Sequence, residues 1–408
     1  MGGTSRSGVL PGLVMVSLLL VAFVVVVPSR VDASCFPALF NFGDSQSDTG
    51  GIQATFPSYT PAEYFPYGET FFQSPQNRYC DGRLLIDFLA EGLGLPFLDP
   101  YLQSVTSDFK HGANFATAGA TVRPVTYLSP FFLPIQVGQF LSFRKGVISM
   151  WNKEKWTWAR SSTDVKSAGG FRAERLNRLP PPEAFEKALY TINIGGNDYT
   201  FGYTKGKTTD EVKEYLPEVV DGIANAIHRI HNEANGRYFM VWDMEPQGCL
   251  PYMKTLIWHE DKERNEMDCL PKYNEAAIFM NDLLNSTLAR LREQYTDSTI
   301  IFLSTYQMKM DIFRDPHKAG FKTIDKACCG IPNRWHYDLR VACGQTNTID
   351  NVTLAYEACS DPSEYVVWDG VHTTEAANRY QAKKILSGKY LYPPFTKLTE
   401  GCDLSTIT

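Results

Sequence analysis

Four short apolar runs separated by long amphipathic stretches predict an α/β fold, with helices covering both faces of a mostly parallel sheet. The runs are 36–42, 188–194, Tyr238–Trp242 and Thr299–Leu303. Each has the length of a strand and is apolar without alternation, as a strand buried on both faces must be. Between them, Val212, Tyr215, Leu216, Val219, Val220, Ile223, Ile227 and Ile230 recur at spacings of three and four. Tyr273, Ala277, Met280, Leu284, Leu288 and Leu291 do the same. Each set lines one face of a helix. Strands that alternate with helices pair in parallel, and ligands of such sheets bind beyond the C-terminal strand ends.

The chain opens with Arg6, an almost purely apolar run at 13–27, Pro28 and Val31-Asp-Ala33. A run of that length suits the core of a secretory signal peptide and is short of the ~20 residues that span a bilayer, and Val31 and Ala33 suit a cleavage site. Residues 1–33 are therefore expected to be a signal peptide, with an uncleaved signal anchor as the competing reading. No later segment is apolar enough to span. Residues 34–408 carry no Pro/Ser/Gly-rich linker and no shift in composition, so a single domain is expected.

The first strand, Phe36-Pro-Ala-Leu-Phe-Asn-Phe42, runs into Gly43-Asp-Ser45 and then the polar turn residues Gln46-Ser-Asp-Thr-Gly50. The stretch 145–182, with Trp151, Trp156, Trp158 and Pro180-Pro-Pro182, has no clear period and is expected to be a long surface excursion, packing down its own loop or lining a substrate groove. The second run leads into Ile194-Gly-Gly-Asn-Asp198. Near the C-terminus, Trp368-Asp-Gly-Val-His372 precedes the helix formers Thr374-Glu-Ala-Ala-Asn378.

A formal net charge of −6 argues against nucleic-acid or anionic-membrane binding driven by bulk electrostatics. Nine cysteines in a chain with a signal peptide imply several disulfides, expected in the C-terminal half, and the odd count leaves one thiol free or pairing between chains. The sequons at Asn285 and Asn351 fit glycosylation on the same route. Secretion is the expected destination.

A serine hydroxyl becomes a useful nucleophile when a histidine takes its proton and a carboxylate holds that histidine's tautomer. Ser45, His372 and Asp369 supply these groups. Alone, Gly43-Asp-Ser45 reads as an N-cap serine and His372 as a structural histidine. Asp369 changes this, because Gly370 lets the chain turn so that the carboxylate reaches Nδ1 and leaves Nε2 for the serine. Ester cleavage also needs donors for an oxyanion. Candidates are the backbone N–H groups of Ser45 and Gly112 and the side-chain amide of Asn197, although the segments holding Gly112 and Asn197 read singly as turns.

With Ser45, Gly112, Asn197 and His372 in that order, the chain resembles the GDSL esterase/lipase family of the SGNH hydrolase superfamily, especially its plant branch. The blocks that carry the resemblance are Phe40-Asn-Phe-Gly-Asp-Ser45 with Ser47-Asp-Thr-Gly-Gly51, Gly112-Ala-Asn-Phe-Ala-Thr-Ala-Gly119, Ile194-Gly-Gly-Asn-Asp198 and Trp368-Asp-Gly-Val-His372. Tyr67-Gly-Glu-Thr-Phe-Phe72, Cys80-Asp-Gly-Arg83, Pro246-Gln-Gly-Cys-Leu-Pro251 and Cys328-Cys-Gly330 are similar too. The resemblance implies a three-layer α/β/α sandwich with a mostly parallel, flavodoxin-like sheet, the SGNH hydrolase fold, working without metal or cofactor. It also implies Ser45 as nucleophile, His372 as general base, Asp369 as its orienting acid, and Ser45, Gly112 and Asn197 as the oxyanion hole. Gln46 stands where the family's four-letter name has leucine, and Thr373 where many members have proline.

The function so implied is a secreted serine esterase or lipase acting on lipid acyl esters or acetylated polysaccharide. Its partner is the ester substrate, with no nucleic acid, no membrane span after signal removal, and an open oligomeric state. The alternative is an acyltransferase that passes the acyl group to a carotenoid, sterol, cutin or sugar hydroxyl. A third reading is a non-catalytic carbohydrate-binding or defence glycoprotein, against which the complete set of catalytic residue types argues.

Overall fold

The computed structural model describes residues 1–3, 35–58, 60–125, 129–160, 175–257 and 263–394. The expected signal peptide lies, beyond its first three residues, outside the described residues. Contacts group Ala33–Thr408 as one compact unit, and every described helix and strand belongs to it.

The central sheet contains β1 (Leu39–Gly43), β2 (Gly112–Asn114), β3 (Leu189–Asn193), β4 (Tyr238–Trp242) and β5 (Thr299–Leu303). All four apolar runs of the sequence are strands. These five are parallel in the order β2-β1-β3-β4-β5, and a short last strand, Leu391–Tyr392, closes the β5 edge antiparallel. From β1 the chain moves outward to β2 and then returns to β3 on the other side of β1. The crevice between β1 and β3 is therefore the topological switch point, where ligands of open α/β sheets bind.

Strand residues alternate between faces, and each face has its own apolar layer. Phe40, Phe42, Tyr190, Ile192, Phe239, Val241, Ile300 and Phe302 bury one face against α2 (Leu133–Arg160), α4 (Thr209–Ala234) and α5 (Pro271–Gln294), once α1 (Leu85–Gly92) and α3 (Gly196–Thr204) are counted in chain order. Leu39, Leu189, Met240, Trp242, Ile301 and Leu303 bury the other against α1 and the last helix, α6 (Glu375–Leu386), through Phe88, Leu89, Ala382 and Ile385. The result is the three-layer sandwich. Each large side chain buried in this way contributes roughly 1.5–3 kcal/mol, so the two layers fix which face each helix covers.

Helix α4 starts with a capping box in which the Thr208 hydroxyl accepts the Glu211 N–H and the Glu211 carboxylate accepts the Thr208 N–H at 2.8 Å. Its predicted stripe, Val212 to Ile230, is buried as the spacing required. The stretch 145–182 corrects the sequence reading. Helix α2 continues through 145–160, because Val137, Phe140 and Val147 are buried on one stripe with Leu141 and Trp151 packed against the same core. Most of that stripe lies before residue 145, which left the period of the remainder illegible. The Trp151 indole donates to the Pro180 carbonyl at 3.0 Å, packing the end of the segment down. Residues 161–174 and the side chains of Trp156 and Trp158 lie outside the described residues.

Three disulfides, Cys249–Cys269, Cys328–Cys359 and Cys329–Cys343, staple the C-terminal half, and Cys35 is also disulfide-bonded. Cys80 is a free, buried thiol. The stapled region includes two parallel strands, Thr323–Ala327 and Tyr365–Val367, the second of which delivers the chain to Trp368 and the Asp369–His372 loop.

Candidate active site

Ser45 lies two residues beyond β1, on a turn held from all sides. Strand β2 ends at Asn114, so Gly43 lacks a strand partner on that side. The Gln136 amide takes its place, accepting the Gly43 N–H at 2.9 Å and donating to the Gly43 carbonyl at 2.8 Å. The Asn41 amide donates to Asn114 Oδ1 at 2.8 Å and to Ser47 Oγ at 3.0 Å, while the Asn114 amide donates to the Ser47 carbonyl at 2.7 Å. Asp48 accepts the N–H groups of Gly50, Gly51, Ile52 and, across the loop, Ala118 at 2.7 Å. The buried polar groups of the turn are thus satisfied by one another, which fixes its shape.

Toward the C-terminus, the Asp369–His372 loop closes on itself. The His372 carbonyl accepts the Trp368 N–H at 2.7 Å, Asp369 Oδ1 accepts the N–H groups of Val371 and His372, and Gly370 turns the chain at φ 93°. His372 Nδ1 is 2.7 Å from Asp369 Oδ2, and its Nε2 is 2.8 Å from Ser45 Oγ. This is the relay geometry that activates a serine hydroxyl. The Tyr79 ring covers the imidazole at 5.0 Å between centroids.

Tyr67, which the sequence reading quoted in a motif without a role, donates its hydroxyl to Asp369 Oδ2 at 2.9 Å and is fully buried. Burial pushes the Asp369 carboxyl up. The charge of His372, the hydrogen bonds from its ring and backbone, and the Tyr67 hydroxyl outweigh that push and hold the carboxyl below its usual value. Tyr67→Phe removes one donor from Asp369, and kcat/KM for 4-nitrophenyl acetate is expected to fall by about 2–12-fold, the equivalent of one hydrogen bond. An unchanged kcat/KM would show that Tyr67 only fills space.

Asn197 stands at the start of α3, just past β3, where its Nδ2 donates one hydrogen to the Ala120 carbonyl at 2.9 Å. The neighbouring Asp198 accepts the N–H groups of Val122 at 2.7 Å and Arg123 at 3.1 Å. Together these bonds lock the 118–123 loop to the end of β3. Burial pushes the Asp198 carboxyl up to about 6, against the two backbone donors and the Arg123 guanidinium.

Gly112 is not part of this site. It pairs with Leu39 at the first rung of β1, six residues before Ser45, which at ~3.3 Å per residue is roughly 15–20 Å away. Its N–H donates to the Phe109 carbonyl at 3.1 Å. A Cβ there would sit 1.8 Å from the Leu39 carbonyl oxygen, so its missing side chain serves close strand packing. The glycine that reaches the cavity is Gly119, at φ 75°, whose N–H has no partner among the described residues. The N–H of Ser45 is likewise unpaired.

Ser45, His372, Gly119 and Asn197 share one cavity of about 410 Å³, whose walls include Tyr79, Tyr252 and Tyr337. Among the described residues no group of three or more His, Cys, Asp or Glu is placed to hold a metal ion.

The GDSL-like Lipase/Acylhydrolase family profile matches residues 39–385. A GDSL esterase/lipase of Arabidopsis thaliana is 41% identical, covering 93% of this chain and 95% of its own length. An Arabidopsis protein named alpha-L-fucosidase 3 is 38% identical over 88% of this chain and 93% of its own length, and an esterase of Hevea brasiliensis 39% identical over 88% and 87%. A strand-end serine with its histidine and aspartate, on a sheet of this topology and within a family match over most of the chain, places the protein in the GDSL-like lipase/acylhydrolase family of carboxylic ester hydrolases.

Proposed function

We propose that this protein hydrolyses carboxylic esters through an acyl-enzyme on Ser45. His372 Nε2 takes the hydroxyl proton as Oγ attacks the carbonyl carbon, and Asp369 keeps Nδ1 protonated and balances the imidazolium. The Ser45 and Gly119 N–H groups and the free hydrogen of the Asn197 amide receive the oxyanion. As the tetrahedral intermediate collapses, His372 returns the proton to the departing alkoxide. Water then repeats the sequence on the acyl-serine, releasing the acid.

The observation that carries this reading is the unbroken path from Asp369 through His372 to Ser45 Oγ, at 2.7 and 2.8 Å. A fluorophosphonate probe, which reacts with activated serines, is expected to label the native protein and abolish its hydrolysis of 4-nitrophenyl acetate. A protein that resists the probe yet still turns over would overturn the assignment.

We further assign residues 1–33 as a signal peptide and 34–408 as a single secreted hydrolase domain. The disulfides support that route, since they persist in oxidising compartments. Asn285 and Asn351 are both exposed, as glycan acceptors must be. Among the described residues no helix is long and apolar enough to cross a membrane.

A further inference from the structure

One group on the cavity wall has no part in the chemistry above. Lys309, buried at 5% exposure, bonds through Nζ to the Glu245 carboxylate and, at 3.0 Å, to Thr373 Oγ1. The other Glu245 oxygen accepts the Gln46 amide at 3.1 Å, and that amide also donates to the Val371 carbonyl at 3.3 Å. Gln46, Glu245, Lys309, Val371 and Thr373 all line the cavity. Gln46 and Thr373, which stand where the resemblance has leucine and, in many members, proline, both touch this one ion pair.

Its place relative to the reacting atoms decides what it can meet. Two of the three oxyanion donors, Gly119 and Asn197, lie on the side of β3 and the 118–123 loop, whereas the departing alcohol must lie against His372, which protonates it. Gln46 adjoins the nucleophile, and Val371 and Thr373 flank the histidine. The pair therefore faces the alcohol half of the ester. Burying an ammonium and a carboxylate costs several kcal/mol per ion unless their hydrogen-bonding capacity is filled. Among the described residues Lys309 has two partners for three N–H donors, and each Glu245 oxygen has one partner for two lone pairs. A donor beside an acceptor matches hydroxyl groups, which both give and take a hydrogen bond. The Tyr252 and Tyr337 rings, 6.0 Å apart, add aromatic surface to the same cavity.

We infer that Glu245 and Lys309, held by Gln46 and Thr373, form a subsite for a polyhydroxylated alcohol, so that the preferred substrate is an ester of a sugar-like polyol rather than of a hydrocarbon alcohol. This rests on the Ser45 acyl-enzyme reading. An alcohol with no hydroxyl besides the esterified one would bury the pair with its spare capacity unmet, the mechanism by which polar sites reject apolar analogues.

The test compares kcat/KM for a mono-acetylated methyl glucoside and for cyclohexyl acetate, in native protein and in Lys309→Met and Glu245→Gln, with fluorophosphonate labelling of each. The native protein is expected to favour the glucoside ester at least tenfold, and each variant to lose at least tenfold of that ratio. Glu245→Gln, which keeps the shape but removes the charge and turns one accepting oxygen into a donor, carries the test if Lys309→Met does not fold. Normal labelling with no native preference, or with a preference that survives in the variants, overturns the subsite alone. Absence of labelling in the native protein overturns the esterase reading and the subsite with it.

Discussion

Ser45→Ala is expected to lower kcat for 4-nitrophenyl acetate by about 10⁴-fold or more, with KM and secondary structure little changed. Without Oγ the imidazole has no hydroxyl to deprotonate, and no acyl-enzyme can form. Members of such a relay act as a unit, so His372→Ala and the Ser45→Ala/His372→Ala pair should fall to about the same residual rate rather than to the product of two losses. The substitution is mild for the fold. Ser45 is only half-buried, its side chain bonds nothing but His372 among the described residues, and the cavity lets water replace it. A stability change beyond ~1 kcal/mol in a urea titration would mean that the hydroxyl also supports the turn.

Asn197→Ala is expected to lower kcat by about 10²–10³-fold with a much smaller effect on KM. The Ala120 carbonyl fixes the amide by one hydrogen at 2.9 Å, leaving the other to meet charge that develops only at the transition state. Asn197→Asp is nearly the same size but presents acceptors and negative charge toward the oxyanion, so it should be at least as slow. Steady-state kinetics on both variants checks this, and a native rate from Asn197→Ala would remove the amide from the oxyanion hole.

Much of this site was legible before any coordinates, and the reason is local. Ser45 and Asn197 each follow an apolar strand run, and the Asp369–His372 pair precedes a run of helix formers, so the ends of those elements locate them. Gly112 was misplaced because its block holds two glycines seven residues apart, and only the pairing of a three-residue β2 with β1 shows which one is spent on packing and which reaches the cavity. Tyr67 could not be assigned either, since its partner Asp369 lies 302 residues away and nothing in the pattern of either segment encodes the contact. The Glu245–Lys309 pair is hidden for the same reason. Lys309 sits on a helix, Thr305–Arg314, where a lysine would ordinarily be read as solvated surface, and its burial follows from tertiary packing alone.

The most direct test of the central claim is to trap the covalent intermediate. Native protein turning over 4-nitrophenyl acetate would be quenched in acid, digested and mapped by mass spectrometry. The acetyl group is expected on Ser45 and nowhere else. An acetyl group on a different side chain, or none during a full-rate turnover, would contradict it.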